Sequence, residues 1–146
     1  MDPSLSNVLS SAEMQAFASG FPVMVAHLIV TLLLLAAGAA VYVLMTPWKE
    51  ISLIREGNPA AAIGFAAVLV GLAIPLSVSL SVSTTVRDIA IWGVATLALQ
   101  LLVFRIVDLI LTGLPQRIQN GEVSAAVVLA GVKLATALIL SAALTG

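Results

Sequence analysis

The sequence predicts an all-α integral membrane protein: four transmembrane helices arranged as two tandem helical hairpins that enter the bilayer the same way round. Three observations predict it. Of 146 residues, 61% are hydrophobic and 9% charged, against roughly a quarter charged in an ordinary soluble domain, so too few polar side chains exist to clothe a water-facing surface. The apolar residues gather into four blocks, each long enough to cross a hydrocarbon core of ~30 Å as a helix. The second half of the chain also overlays the first at a shift of 64 residues, Gly57 falling on Gly121 and Ser77 on Ser141.

Residues 1–20 are polar and serine-rich, with Asp2 and Glu13 and no cation. Leu5, Val8, Leu9, Met14 and Phe17 recur loosely at three to four, and the stretch reads as a terminal tail or a short interfacial helix. The first span runs from about Phe21 to Met45. Within it, Ala36-Ala37-Gly38-Ala39-Ala40 mimics a signal-peptide cleavage site. No Lys or Arg precedes it and the apolar run continues past it, so the helix is expected to be retained. Tyr42 and Trp48 mark the far interface, where amphipathic rings sit. A polar link, 46–58, follows.

Asn58-Pro59 is a strong helix start, an amide able to cap free backbone N–H groups followed by proline at the first helical position. The second span runs from Pro59 to about Val82, with a kink expected at Pro75, whose ring removes one backbone hydrogen bond. Ser77, Ser79, Ser81 and Ser83 then alternate with apolar residues, which is a strand signal. A lone strand in hydrocarbon leaves its backbone unpaired, so a kinked helix is expected here, with an unwound segment lining a cavity as the alternative. Thr85 and Asp88 have capping-box spacing ahead of the third span, about Asp88 to Leu111, with Trp92 near its start. A short link, 112–121, carries Pro115, Arg117 and a second capping amide, Asn120, before Gly121. The fourth span runs from about Glu122 to Leu144. The two units are then 21–82 and 83–146.

Each unit holds two crossings, so the units are related by an axis along the membrane normal, and alternating access through inverted repeats is not available within one chain. Lys49 and Arg55 lie in the first link, and Arg117, with Arg105 nearby, in the second. The opposite side has Arg87. Cations favour the cytoplasm, which puts both links inside and both termini in the periplasm.

Net charge is −1, with no basic patch, so nucleic acid is not an expected partner. The chain has no cysteine and one histidine, which removes thiolate and His-cluster metal sites and a cysteine nucleophile. No paired carboxylates or Ser–His arrangement stand out, so neither an enzyme nor a cofactor is expected.

Arg55-Glu56-Gly57-Asn58-Pro59-Ala60-Ala61-Ala62-Ile63, then Gly71-Leu72-Ala73-Ile74-Pro75-Leu76, Trp92 and Gln100-Leu101-Leu102-Val103 together resemble the small inner-membrane proteins of the YjfL type, domain-of-unknown-function family 350. The resemblance covers about His27 to the C-terminus. In the second unit Glu122 stands where the first has Asn58, a departure that weakens any role needing two symmetric amides. The resemblance implies a bacterial inner-membrane location and the two-hairpin fold. It brings no established activity and no catalytic residues. Through neighbours that look like phage-shock and stomatin-like proteins, it implies a part in envelope maintenance and a membrane-stress partner.

Lys133 is the sharpest single feature. It lies near the midpoint of the fourth span, where lysine costs about 2.5–3.5 kcal/mol on insertion scales. Helical side chains lean toward the N-terminus, so Lys133 leans toward the link side, where Asp108 on the third span is the expected partner. Arg105, three residues from Asp108, is expected to complete an intramembrane cluster between the third and fourth spans. That cluster reads either as an ion or proton path or as a satisfied ion-pair network that fixes packing. His27 is expected to make a simple hydrogen bond. Thr96 and Gln100, on one face, could hydrogen-bond a neighbouring helix, with packing the expected role. Ala60 and Gly64, Ala67 and Gly71, Ala126 and Ala130, and Gly131 and Ala135 form small-residue faces suited to close packing.

Two function classes follow. The first is a homo-oligomeric membrane component or scaffold in the lipid bilayer, docking partners through Trp48, Lys49, Glu50 and Arg55 in the exposed first link. The second is a small ion or proton channel or transporter working through Arg105, Asp108 and Lys133.

Overall fold

The computed structural model describes Asn7 and residues 11–146, and every element among them is helical: α1 Ala12–Met45, α2 Glu50–Arg55, α3 Pro59–Val82, α4 Val86–Ile110, α5 Leu114–Gln119 and α6 Val123–Thr145. The helices α1, α3, α4 and α6 are long and apolar enough to cross a membrane. Residues 1–6 and 8–10 of the expected tail lie outside the described residues.

The first helix starts earlier than expected. Ser11 caps α1, its side chain accepting from the Met14 N–H at 3.3 Å, and Glu13 sits in the first turn, where the helix dipole favours an anion. Residues 12–20 are therefore the opening turns of α1, not a tail or a separate interfacial helix. Pro22 lies inside the helix. At 1.5 Å per residue α1 is about 51 Å long, well beyond a ~30 Å hydrocarbon core.

The other spans begin where their caps place them. The Asn58 side chain accepts from the Ala61 N–H at 3.0 Å and starts α3. Thr85 is the cap of α4: it accepts from the Asp88 N–H at 3.1 Å, and its hydroxyl donates to Asp88 Oδ2 at 2.7 Å. Asp88 is thus not the cap itself but a first-turn residue bonded back to the capping Thr85 side chain. The α3 helix continues through Pro75 to Val82. Its serines follow helical geometry, Ser77 donating to the Ile74 carbonyl and Ser81 to the Val78 carbonyl, both at 2.7 Å.

Both links hold a short helix that the sequence did not predict, and both helices end alike. Gly57 (φ 86°) and Gly121 (φ 82°) take the left-handed conformation that only glycine adopts without strain. The Gly57 and Asn58 N–H groups turn back onto the Ile54 and Leu53 carbonyls, and those of Gly121 and Glu122 onto Ile118 and Arg117, a Schellman stop in each link. Asn120 is accordingly the C-terminal cap of α5 and does not start α6, whose first turn is preceded by Glu122. The Asn58 amide also ties the links together, donating to the Ile118 and Gln119 carbonyls, each at 3.1 Å.

The closest helix pair is α3 with α6. Ala60, Ala61, Gly64 and Ala67 on one side and Ala125, Ala126 and Ala137 on the other are buried, and small residues let helix backbones approach in lipid, where no hydrophobic force drives them together. Gly131 and Ala135 face outward instead. The α1 helix packs on α4 and α3, with Gly38 against Leu97 and Leu72, and buries only Gly38 and Tyr42.

Candidate functional site

Lys133 is the largest charged side chain inside the bundle, with 2% of its surface exposed. Its stem leans toward the helix N-terminus and carries Nζ to within 3.0 Å of Asp108 Oδ1 and 3.3 Å of Oδ2. Nζ also donates to the Tyr42 hydroxyl at 2.9 Å. It sits 4.8 Å from the centre of the Tyr42 ring and 5.4 Å from that of Phe104, distances at which an aromatic face attracts a cation. The ammonium, carried by α6, therefore has a counter-charge, a hydroxyl and two ring faces, drawn from α1 and α4. Since α4 and α6 touch each other little, the site is not closed by those two helices alone.

A second carboxylate enters from the first link. Glu50 is 4% exposed. Its Oε1 lies 3.5 Å from where a β-carbon on Gly64 would stand, so the carboxylate sits against the small face of α3. Its Oε2 has no hydrogen-bond partner among the described residues. Burial pushes the Glu50 carboxyl up to about 7; the Lys133 charge opposes that rise and the Asp108 charge adds to it. Two carboxyl groups thus share the field of one ammonium, and one of them is poised to hold or release a proton near neutrality.

Arg105 does not join this cluster. The ion pairs among the described residues are Lys133–Asp108 and Arg117–Glu122. Arg105, half-buried, lines the rim: with Tyr42, Thr46 and Asp108 it borders a crevice of about 10 Å³, room for about one water molecule. It also lines a wider groove of about 320 Å³ at the link end, beside Trp48, Asp108 and Gln116. Asp108 belongs to both spaces and to the ion pair, so it connects the buried ammonium to the link surface.

The first link divides accordingly. Lys49 and Arg55 are exposed and Trp48 half-buried, whereas Glu50 points into the bundle and is removed from any docking surface. The sequence signal was there: Glu50, Leu53 and Ile54 share one face of a helix, but only once α2 is seen to be one. At the second link, Glu122 accepts from Arg117 Nε at 2.6 Å and from the Ser124 hydroxyl at 2.9 Å. These hydrogen bonds hold its carboxyl down to about 2.

Toward the opposite end three buried polar side chains stand without hydrogen-bond partners among the described residues: Gln100 at both amide atoms, Thr96 and Ser79. Among the described residues Gln100 and Thr96 pack inside the bundle and make no side-chain hydrogen bond to a neighbouring helix. Each such group left unpaired costs roughly 1–3 kcal/mol. Ser79 was hidden among alternating serines, although with Leu72 and Leu76 it marks the buried face of α3. It also lines a cleft of about 460 Å³ with Ser83, Thr84, Asp88 and Trp92, open at the end opposite the links. His27 is remote from both sites, lining a pocket with Met24 and Leu80.

A protein-family model described as Domain of Unknown Function (DUF350) matches residues 16–144. The inner membrane protein YjfL (UPF0719) of Escherichia coli strain K12 is 33% identical over 105 residues, covering 72% of this chain and 80% of the relative. YjfL of Escherichia coli O157:H7 aligns with the same identity and coverage. No solved structure matches. Four apolar helices and this kinship mark the chain as a multi-pass protein of the inner membrane, and it belongs to the DUF350 family.

Proposed function

We propose that this protein handles protons within the membrane, as a small transport component whose working site is the Lys133–Asp108 pair with Glu50 beside it. The observation that carries the reading is the second carboxyl: Glu50 is buried with one oxygen unpartnered, and it feels the charges of both Lys133 and Asp108. A purely structural lysine is satisfied by Asp108 and Tyr42 and has no use for a further acid, and intramembrane ionisable groups mark proton and ion paths by default. The bundle is two copies of one hairpin. Supporting this, the two links share their backbone hydrogen bonds at the same 64-residue offset. The link end faces the cytoplasm, as the cations of the links favour, so Asp108 takes protons from that side. No chemical transformation is catalysed.

The test is proton flux into proteoliposomes under a pH gradient. Wild type dissipates the gradient, and Glu50→Gln, which leaves the Lys133–Asp108 pair in place, does not while remaining folded and inserted. A wild type as tight as empty vesicles sinks the reading.

A second reading is favoured by a different observation: an apolar groove of about 440 Å³ between α1 and α4, lined by Leu34, Val41, Val94 and Leu102, together with the sparse burial of α1. These suit a homo-oligomeric membrane component serving envelope maintenance, with Trp48, Lys49 and Arg55 left to meet a membrane-stress or stomatin-like partner. Cross-linking in native membranes that yields only monomer counts against it.

A further inference from the structure

The acid–ammonium cluster accounts for the half of the bundle nearest the links, and the three unpartnered polar side chains occupy the other half. Most serines and threonines in these spans bond their own helix: Thr31, Ser77, Ser81, Thr136 and Ser141 each donate to a carbonyl three or four residues back. Ser79 and Thr96, both buried, do not. Gln100 has two donors and an acceptor in its side chain and is fully enclosed.

Their depths form a series. Gln100 lies ten residues from the link end of α4, and Lys133 ten residues from the start of α6, so both stand about 15 Å from that end at 1.5 Å per residue. By the same rise Thr96 is at about 21 Å and Ser79 at about 30 Å, where the cleft opens. The axial steps of about 6 and 9 Å exceed a direct hydrogen bond, and at about 2.8 Å between hydrogen-bonded oxygens one and two waters cover the axial part of each step. Pro75, itself buried on the facing helix, deprives the Gly71 carbonyl of its usual helical donor and adds an acceptor near the depth of Gln100. Buried polar groups of this kind are met by ordered water.

We propose that Ser79, Thr96 and Gln100 line a single file of water joining the cleft at the terminal end to the Lys133–Asp108 pair. The pair then has two approaches: the groove beside Trp48 and Arg105 from the link end, and this file from the other. The role of the file in proton movement rests on the transport reading above; its hydration does not.

Two measurements on the full chain in lipid bilayers test it. In water-edited solid-state NMR, the side-chain signals of Thr96 and Gln100 gain magnetisation from water as fast as Asp88 at the cleft and well ahead of lipid-facing Leu138. Build-up no faster than that of Leu138 overturns the file. In proteoliposomes, Gln100→Leu, which removes the middle of the file and leaves the ion pair intact, reduces proton flux to the level of protein-free vesicles. Unchanged flux in that variant overturns the file as a route while leaving the site at Lys133 standing. Hydrated Thr96 and Gln100 in a wild type that carries no protons uphold the file and defeat the transport reading instead.

Discussion

Glu50 sits against Gly64 on the small face of α3, its Oε1 3.5 Å from the position a β-carbon on that glycine would take. A residue in a surface link thereby becomes part of the interior of the bundle. A methyl group at 3.5 Å is in ordinary contact, so Gly64→Ala is expected to fold with a stability change within about 1 kcal/mol, the range of the glycine-to-alanine helix preference. Gly64→Leu has no such room and expels Glu50. Its pH response then matches that of Glu50→Gln, as thermal unfolding in detergent reads out.

That pH response has a defined sign. The Glu50 carboxyl is pushed up to about 7 from an ordinary 4.5, so between those values the native state holds a proton that the unfolded chain has lost. Stability contributed at this group is greatest below the lower value, falls as pH rises through the window, and levels off above about 7. The full span is on the order of 3 kcal/mol at about 1.4 kcal/mol per pKa unit. Melting temperatures recorded from pH 4 to 8 should decline in the wild type, and Glu50→Gln should flatten the curve. A wild-type profile with no decline over that window refutes the assignment.

The Lys133–Asp108 pair should show strong coupling. Removing either partner leaves the other charge buried, at about 3–5 kcal/mol, so Lys133→Met and Asp108→Leu are each expected to be severely destabilising. The double variant should cost less than the two singles combined. Tyr42→Phe deletes one hydrogen bond to a charged group and is expected to cost about 1.5–3 kcal/mol. Unfolding curves for the full cycle, taken at one pH, decide it; strict additivity contradicts the geometry.

Phe104 backs the same ammonium and is held by Gly71. A β-carbon there would stand 2.7 Å from Phe104 Cζ, and the ring is fully enclosed. Gly71→Ala is expected to destabilise by about 1–3 kcal/mol through overpacking, with Phe104→Leu restoring part of the loss. Gly131, with nothing near its missing side chain, is the control: Gly131→Ala should be neutral or stabilising by up to about 1 kcal/mol.

Asn58 performs two tasks that chemistry can separate. Asn58→Ala loses both the cap on α3, typically ~1 kcal/mol, and the two bonds to the second link. Asn58→Asp keeps an acceptor for the Ala61 N–H but offers no donor to the Ile118 and Gln119 carbonyls. Amide exchange should show α3's first turn loosened in the alanine variant alone, and the second link loosened in both.

The spans were legible because the bilayer sets their length, and their starts because Asn58 and Thr85 carry specific capping chemistry. The Lys133–Asp108 contact was legible from the direction in which helical side chains lean. What was not legible came from elements distant in sequence. Tyr42 reads as an interfacial aromatic and Glu50 as a link charge until α1 and α2 are folded against the pair. Arg105 reads as a cluster member from spacing alone, yet its long side chain ends at the rim. The start of α1 was obscured by the polar, serine-rich composition of the first twenty residues, and the link helices by their brevity.

The four-way setting of Lys133 also bears on how the chain is made. Synthesis delivers α1 and α4 before α6, so the hydroxyl of Tyr42 and the carboxylate of Asp108 are already in the membrane when the lysine arrives. Helix α6, with a charge at its centre, settles only against neighbours that are correctly placed. Its insertion acts as an inspection of everything built before it, and a chain with α1 or α4 displaced leaves an unmatched ammonium in the hydrocarbon, where it is costly.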